Sequence, residues 1–105
     1  MKIIYNKLIP FKGFTAINLF GVIFAREGVH IDYITIQHER IHTAQIRELF
    51  YILFYVLYLL EWLIKLFIYG KNSYRNISFE REAYAGQGEL FYLRRRKKYS
   101  FLKYI

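Results

Sequence analysis

Apolar and polar positions change rhythm along this chain, and each rhythm predicts a different element. Residues 14–26, Phe-Thr-Ala-Ile-Asn-Leu-Phe-Gly-Val-Ile-Phe-Ala-Arg, are rich in β-formers, with Gly21 between two short apolar runs. That pattern predicts a strand pair or a bulged edge strand. Glu27-Gly28 marks a turn, and Asp32 then stands where a helix N-cap is wanted, ahead of a helix running to about Glu48. From Leu49 to Tyr69 the chain is apolar nearly all round, apart from Glu61 and Lys65, spaced i,i+4 for an ion pair. Gly70-Lys71-Asn72-Ser73 breaks the pattern and reads as a loop. A last helix is expected from Ser78 to about Lys98, with Ser78 as N-cap and Glu80 and Glu82 in its first turn, although Gly86 and Gly88 weaken its middle. The expected fold is mainly α with a small N-terminal β element (α+β): a motif-bearing helix, a long apolar helix and a C-terminal helix. Residues 1–105 are read as one domain.

Composition sharpens this picture. Hydrophobic residues make up 55% and aromatics 21%, including eleven Tyr and ten Phe. Disorder is excluded for most of the chain, because disordered segments are poor in such residues. The surplus apolar surface must meet a core, another subunit or a membrane surface. Sixteen basic against eight acidic side chains leave a net charge of +8, which favours anionic partners without choosing among them. There is no cysteine, so thiolate metal ligands and disulfides are excluded and any metal site must use His, Asp or Glu. The same absence fits a reducing compartment. The opening residues Met1 to Lys7 lack the apolar run and small-residue cleavage site of a signal peptide.

The strongest chemical signal is His38-Glu39-Arg40-Ile41-His42. On a helix, positions i and i+4 share a face about 6 Å apart, so two imidazoles can converge on one ion. Glu39 follows the first histidine directly, where its carboxylate reaches a water on that ion without ligating the ion itself. Neutral imidazole suits zinc, and three protein ligands plus one water is the usual catalytic arrangement. The third ligand has to come from elsewhere. His30 is the only other histidine and reads as an exposed turn residue. Downstream, Phe79-Glu80-Arg81-Glu82-Ala83-Tyr84-Ala85 offers two carboxylates, which in isolation would be the charged start of a helix.

The His-Glu-Arg-Ile-His motif followed by Glu80-Arg81-Glu82-Ala83 resembles the gluzincin metallopeptidases, whose third zinc ligand is a glutamate on a later helix. The Glu-x-x-Ala spelling is similar to that of the prenyl-protein (CAAX) and heat-shock membrane proteases of that clan, and a related Glu-x-x-Cys occurs in the penicillin-sensing receptor metalloproteases. The chain also looks like a group of short bacterial proteins with a His-Glu-Arg-Ile-His core and a later Phe-Glu-Arg-Glu-Ala-Tyr. The resemblance implies a zinc metallopeptidase acting on a peptide or protein substrate, with His38, His42 and Glu80 on the metal and Glu39 as general base toward a zinc-activated water. Within Glu-x-x-Ala the ligand is Glu80; Glu82 is the alternative. Tyr84 or Arg81 is a candidate to stabilise the oxyanion. Those proteases follow the alanine with Asp, whereas this chain has Tyr84, so the supporting carboxylate is missing or replaced.

The apolar stretch tests that implication. As a helix, Leu49 to Tyr69 is about 31 Å long, enough to cross a bilayer core. A single straight crossing would strand the histidines and Glu80 on opposite sides. If the chain bends near residues 46–49, residues 70–77, extended, could return about 26 Å, and lateral packing or a second break in the apolar helix would close the rest. The stretch is therefore read as a core helix whose surplus face meets a membrane surface or a second copy, with a transmembrane span as the alternative. The run from Arg94 to Lys98 reads as a solvated helix end or, with Tyr92, Tyr99, Phe101 and Tyr104, as a contact for acidic headgroups. Nucleic acid is not expected as a partner, since no recognised motif is present. The expected location is the cytoplasm or the inner membrane face. A non-catalytic zinc-binding scaffold, membrane-associated or oligomeric, is the alternative function.

Overall fold

The computed structural model describes residues 3–7, 16–28 and 31–105. His30 and the first two residues of the expected strand pair lie outside them. Strand β1 (Ile3–Asn6), β2 (Ala16–Leu19) and β3 (Val22–Arg26) form a sheet of order β1-β3-β2, with β1 parallel and β2 antiparallel to β3. Phe20 and Gly21 make the two-residue hairpin turn between β2 and β3, both at positive φ (54° and 91°). This is the turn geometry that matches strand twist, and Gly21 takes it without strain. The remainder is mainly helical, as expected: α1 (Tyr33–Glu48), α2 (Ile52–Tyr69), a short 3-10 turn (Gly70–Asn72), α3 (Ser73–Asn76), α4 (Ser78–Gly86), α5 (Tyr92–Arg95) and a 3-10 segment (Ser100–Tyr104).

Helix α1 begins where Asp32 accepts a hydrogen bond from the Thr35 amide at 2.8 Å. It ends in a pair of capping bonds, Phe50 N to Arg47 O at 3.2 Å and Tyr51 N to Ile46 O at 2.8 Å. Phe50 stands in the left-handed region that glycine usually fills at such a C-cap (φ 57°). This cap puts the bend at 49–51, just beyond the expected 46–49, and it turns α2 back across α1. One side of α2 packs on a core of Ile46, Leu49, Phe54, Ile77, Phe79 and Phe101.

The return differs from the expected loop. The chain winds through the 3-10 turn and α3 and runs back alongside α2, held by Ser73 Oγ to Trp62 O (2.6 Å) and by Lys65 Nζ to Asn76 O. It need not retrace all of α2, because Phe79 packs on Phe54 and Glu80 meets Tyr58. Tyr58 is about 17 Å back from the end of α2, within reach of a partly helical path. Ser78 is not the cap of α4. The Glu61 carboxylate, reaching over from α2, takes that role by accepting from Ser78 N (2.6 Å) and Ser78 Oγ (2.7 Å), and it pairs with Lys65 at 2.9 Å. The expected helix to Lys98 stops at Gly86. The Tyr92 ring lies so close to Gly86 that a Cβ there would sit 2.7 Å from it, so the chain must turn to lay that ring down.

By length and composition, the helical stretch beginning with α2 could cross a membrane. Its outer side is unpartnered among the described residues: Phe67 is 91% exposed, Ile68 67% and Ile52 65%.

Candidate metal centre

The buried face of α1 is largely polar: beside Ile41 and Ile46, Gln37, His38, Glu39, His42, Thr43 and Gln45 are all buried. A helix tolerates this only if each group finds a partner, and the neighbouring elements supply them. Asn18 on β2 donates to Glu39 O (2.9 Å) and Thr43 Oγ1 (2.8 Å), which pins the sheet edge against the middle of the motif.

His38 and His42, one turn apart, bring their Nε2 atoms to 3.2 Å, and each Nε2 is 3.1 Å from Glu80 Oε1 on α4. The opposite ring nitrogens are occupied. His42 Nδ1 lies 2.8 Å from Gln45 Oε1, and His38 Nδ1 lies 2.8 Å from Gln87 Oε1. The Gln45 amide has its orientation fixed, because its Nε2 donates both to Phe79 O and to Glu82 Oε1, each at 3.0 Å. Its Oε1 must therefore accept, so His42 keeps a proton on Nδ1 and turns Nε2 inward, toward a metal ion or, without one, a second proton. His38 Nδ1 has a partner of the same kind in Gln87. Two imidazole Nε2 atoms and a carboxylate oxygen then crowd into one small space, an arrangement that calls for a cation between them, a metal ion or, without one, a proton. His38, His42 and Glu80 can together hold a metal ion; their ligand atoms all lie within 4.8 Å of one another.

The electrostatics agree. Burial would lower the His42 pKa, but the Glu80 carboxylate, with help from Glu39 and Gln45, lifts it to about 9. Burial would raise Glu80, yet His42, His38 and the Tyr58 hydroxyl hold it well below the usual carboxylate range. Tyr58 Oη donates to Glu80 Oε2 at 2.7 Å, leaving Oε1 for the histidines. Glu39 moves the other way: burial raises its pKa against the pull of His42 and His38. A carboxylate poised above its ordinary range is a better proton acceptor near neutral pH.

Glu39, His38, His42 and Glu80 line one cavity of about 410 Å³, whose other walls include Ile17 and Leu19 of β2, Ile46 of α1, Phe54 and Tyr55 of α2, and Tyr74. The site is thus open on one side and mostly oily in its walls.

Of the two carboxylates on α4, Glu80 meets the histidines, while Glu82 faces away to Arg96, Tyr92 and Gln45. Tyr84 packs edge-on against the His38 ring at 4.6 Å, under the Arg75 guanidinium. Arg81 leaves the site, bonded to Tyr104 O, Tyr69 Oη and Asn76 Oδ1, so it is not placed to stabilise an oxyanion there. The outer nitrogens of the two rings are met by amides, Gln45 at His42 and Gln87 at His38. Sequence reasoning passed over both, although Gln45 lies three residues beyond His42 and Gln87 seven beyond Glu80, each on its ligand's helix face or its extension. Tyr58 had no local signal. Compared with known proteins, the chain matches no family model, no curated protein and no solved structure.

Proposed function

We propose that this protein is a zinc-dependent metallopeptidase of gluzincin type, with His38, His42 and Glu80 holding the metal and Glu39 as general base. The reading rests above all on the three inward-facing acceptors, two imidazoles and a carboxylate, beside an open cavity that also contains Glu39. Borderline-soft nitrogen plus one carboxylate oxygen, with no thiolate, is the donor set that suits a catalytic zinc. A structural zinc site closes with four protein ligands; three ligands beside a cavity favour turnover over a scaffold role. Zinc held there would polarise a peptide carbonyl and lower the pKa of a water.

The chain's own residues do the rest. Glu39 accepts a proton from the attacking water and delivers it to the leaving amine nitrogen. Gln45 fixes the tautomer and angle of the His42 ring and Gln87 braces the His38 ring, so no reorientation is needed as substrate enters. Tyr58 keeps one oxygen of Glu80 occupied and the other presented inward. The apolar walls at Ile17, Leu19, Phe54 and Tyr55 fit a substrate with a large apolar side chain next to the scissile bond, and they thin the water around Glu39.

Glu39→Gln is the deciding variant. It should keep stoichiometric zinc by elemental analysis and lose hydrolysis of fluorogenic peptides bearing apolar residues, by at least about 100-fold. Full activity in that variant would remove Glu39 as the base.

A further inference from the structure

The geometry points to α2 as a monotopic membrane anchor: its outer face lies flat in the surface of an anionic bilayer, parallel to the plane. This inference is independent of the peptidase reading.

Three observations carry it. The first is the width of the exposed arc. At 100° per residue the exposed positions of α2, from Leu66 and Leu59 round through Ile52, Leu63 and Val56 to Ile64 and Ile68, sweep roughly 200° of the helix, and every side chain in that arc is apolar. A partner helix covers a narrower seam and is usually registered by flanking charges. Neither feature is present on this face. Lipid needs neither, because it conforms to whatever is uncovered.

The second is the position of the charges. Both charged side chains of α2, Glu61 and Lys65, point to the protein side, into Ser78 and Asn76. Beyond the strip's ends stand exposed cations: Arg47 in the last turn of α1 at one end, Lys71 just past α2 at the other. The 3-10 segment Ser100–Tyr104 joins that second end through Arg81, which bonds both Tyr69 Oη and Tyr104 O, and it adds exposed Lys103 beside exposed Leu102. An apolar strip rimmed by cations complements an anionic lipid surface. Two copies of a chain of net charge +8 would instead meet like charge with like.

The third observation separates lying flat from crossing. At mid-length α2 is flanked by Glu80, by the carboxylate-capped start of α4 and by the extended residue Ile77 between α3 and α4 (φ −64°, ψ 135°). A perpendicular crossing would carry these charges and that irregular backbone to the middle of the hydrocarbon, where both are costly. Lying flat buries the oily arc by about 5–10 Å and leaves them on the water side.

The test uses the full chain, made cell-free in the presence of vesicles. Flotation should recover the protein with phosphatidylcholine–phosphatidylglycerol vesicles, and several-fold less with phosphatidylcholine alone. A Leu60→Glu, Phe67→Glu double variant changes only exposed positions and should lose at least about tenfold in flotation, with its helical circular dichroism retained. Equal flotation of that variant, or equal recovery on neutral vesicles, would overturn the proposal. Because the chain has no cysteine, Leu53→Cys, Leu60→Cys and Phe67→Cys can each carry a single spin label for depth measurement. The three labels should report one shallow depth. A label at 60 lying much deeper than those at 53 and 67 would mean a transmembrane span, and spin–spin coupling between copies without lipid contact would mean a dimer seam; either defeats the proposal.

Discussion

Glu80 and Glu82 stand two residues apart on the same short helix, and both are almost fully buried (4% and 0% exposed). Their surroundings differ in one respect that decides what each is for. Glu82 has a protein cation of its own. Arg96 reaches it through Nε (2.5 Å) and Nη2 (3.0 Å), Tyr92 Oη donates at 2.5 Å, and Gln45 Nε2 at 3.0 Å. Arg96 also grips both oxygens of Glu48, at 2.8 and 3.0 Å, so one guanidinium ties α1, α4 and the chain beyond α5 together. Glu80 Oε1 faces two imidazole nitrogens and, among the described residues, meets no arginine or lysine. A buried carboxylate already matched by arginine is a structural device. One matched by two imidazoles and a tyrosine hydroxyl is a place for a cation brought from outside, a metal ion or a proton. Burial alone does not separate the two, and neither does a pKa held low, which both share despite desolvation.

The comparison is broken or sharpened most strongly by removing each carboxylate in turn. Glu80→Ala should abolish stoichiometric zinc, a loss beyond the 10–100-fold that an outer hydrogen-bond partner is worth, while the fold survives. Glu82→Ala should do the reverse. It leaves Arg96 over-supplied with charge in the interior, and breaking one partner of a buried pair costs about 3–5 kcal/mol, read as a lower urea midpoint. Zinc stoichiometry should persist wherever the variant remains folded. A folded Glu82→Ala protein without zinc would erase the distinction.

Gln45 is the joint between the two halves, since its oxygen serves His42 and its amide nitrogen serves Glu82. Gln45→Leu should therefore weaken zinc by about 10–100-fold and also destabilise the metal-free protein. Gln87→Leu touches only the His38 side, so it should show the loss in affinity with little loss of stability. Calorimetric zinc titration beside urea unfolding distinguishes them, and equal stability losses in both variants would mean that Gln45 does not couple the two networks.

Much of this was legible in the chain. The α1 start rests on Asp32, a local cap, and the histidine pair on a period any helix imposes. The β2–β3 hairpin turn rests on Gly21, and the Glu61–Lys65 pair on i,i+4 spacing. What stayed hidden depends on contacts between segments distant in sequence. β1 has four residues and no turn to announce it; it exists because β3 offers an edge. Ser78 has the composition of a cap, yet Glu61 from another helix does that work. The expected helix beyond Gly86 loses to a tertiary contact, the Tyr92 ring lying on a glycine so that its hydroxyl reaches Glu82. At the site, the ligands follow a pattern while their supports do not: Tyr58 lies in a stretch that otherwise reads as uniform oil.

The smallest effect is the one with the sharpest sign. In the metal-free protein the Glu80 carboxylate lifts His42 from 6.5 to about 9, so a proton takes the cation's place between them. A histidine raised on folding stabilises the fold fully below its unfolded pKa, and that contribution is lost as pH climbs through the folded value. Metal-free protein should thus weaken steadily between about pH 6.5 and 9. Zinc must displace the same proton, whereas Glu80, held low, is already ionised and has none to give. Zinc affinity should therefore rise about tenfold per pH unit up to about pH 9 and then level, with about one proton released per zinc at pH 8, measured by calorimetry in buffers of different ionisation heat. In metal-free Glu80→Gln protein the lifting carboxylate is gone, so the loss of stability with rising pH should move to lower pH. An affinity that stays flat from pH 7 to 9 in the unaltered chain would mean that the two imidazoles and Glu80 do not share a single cation-binding space.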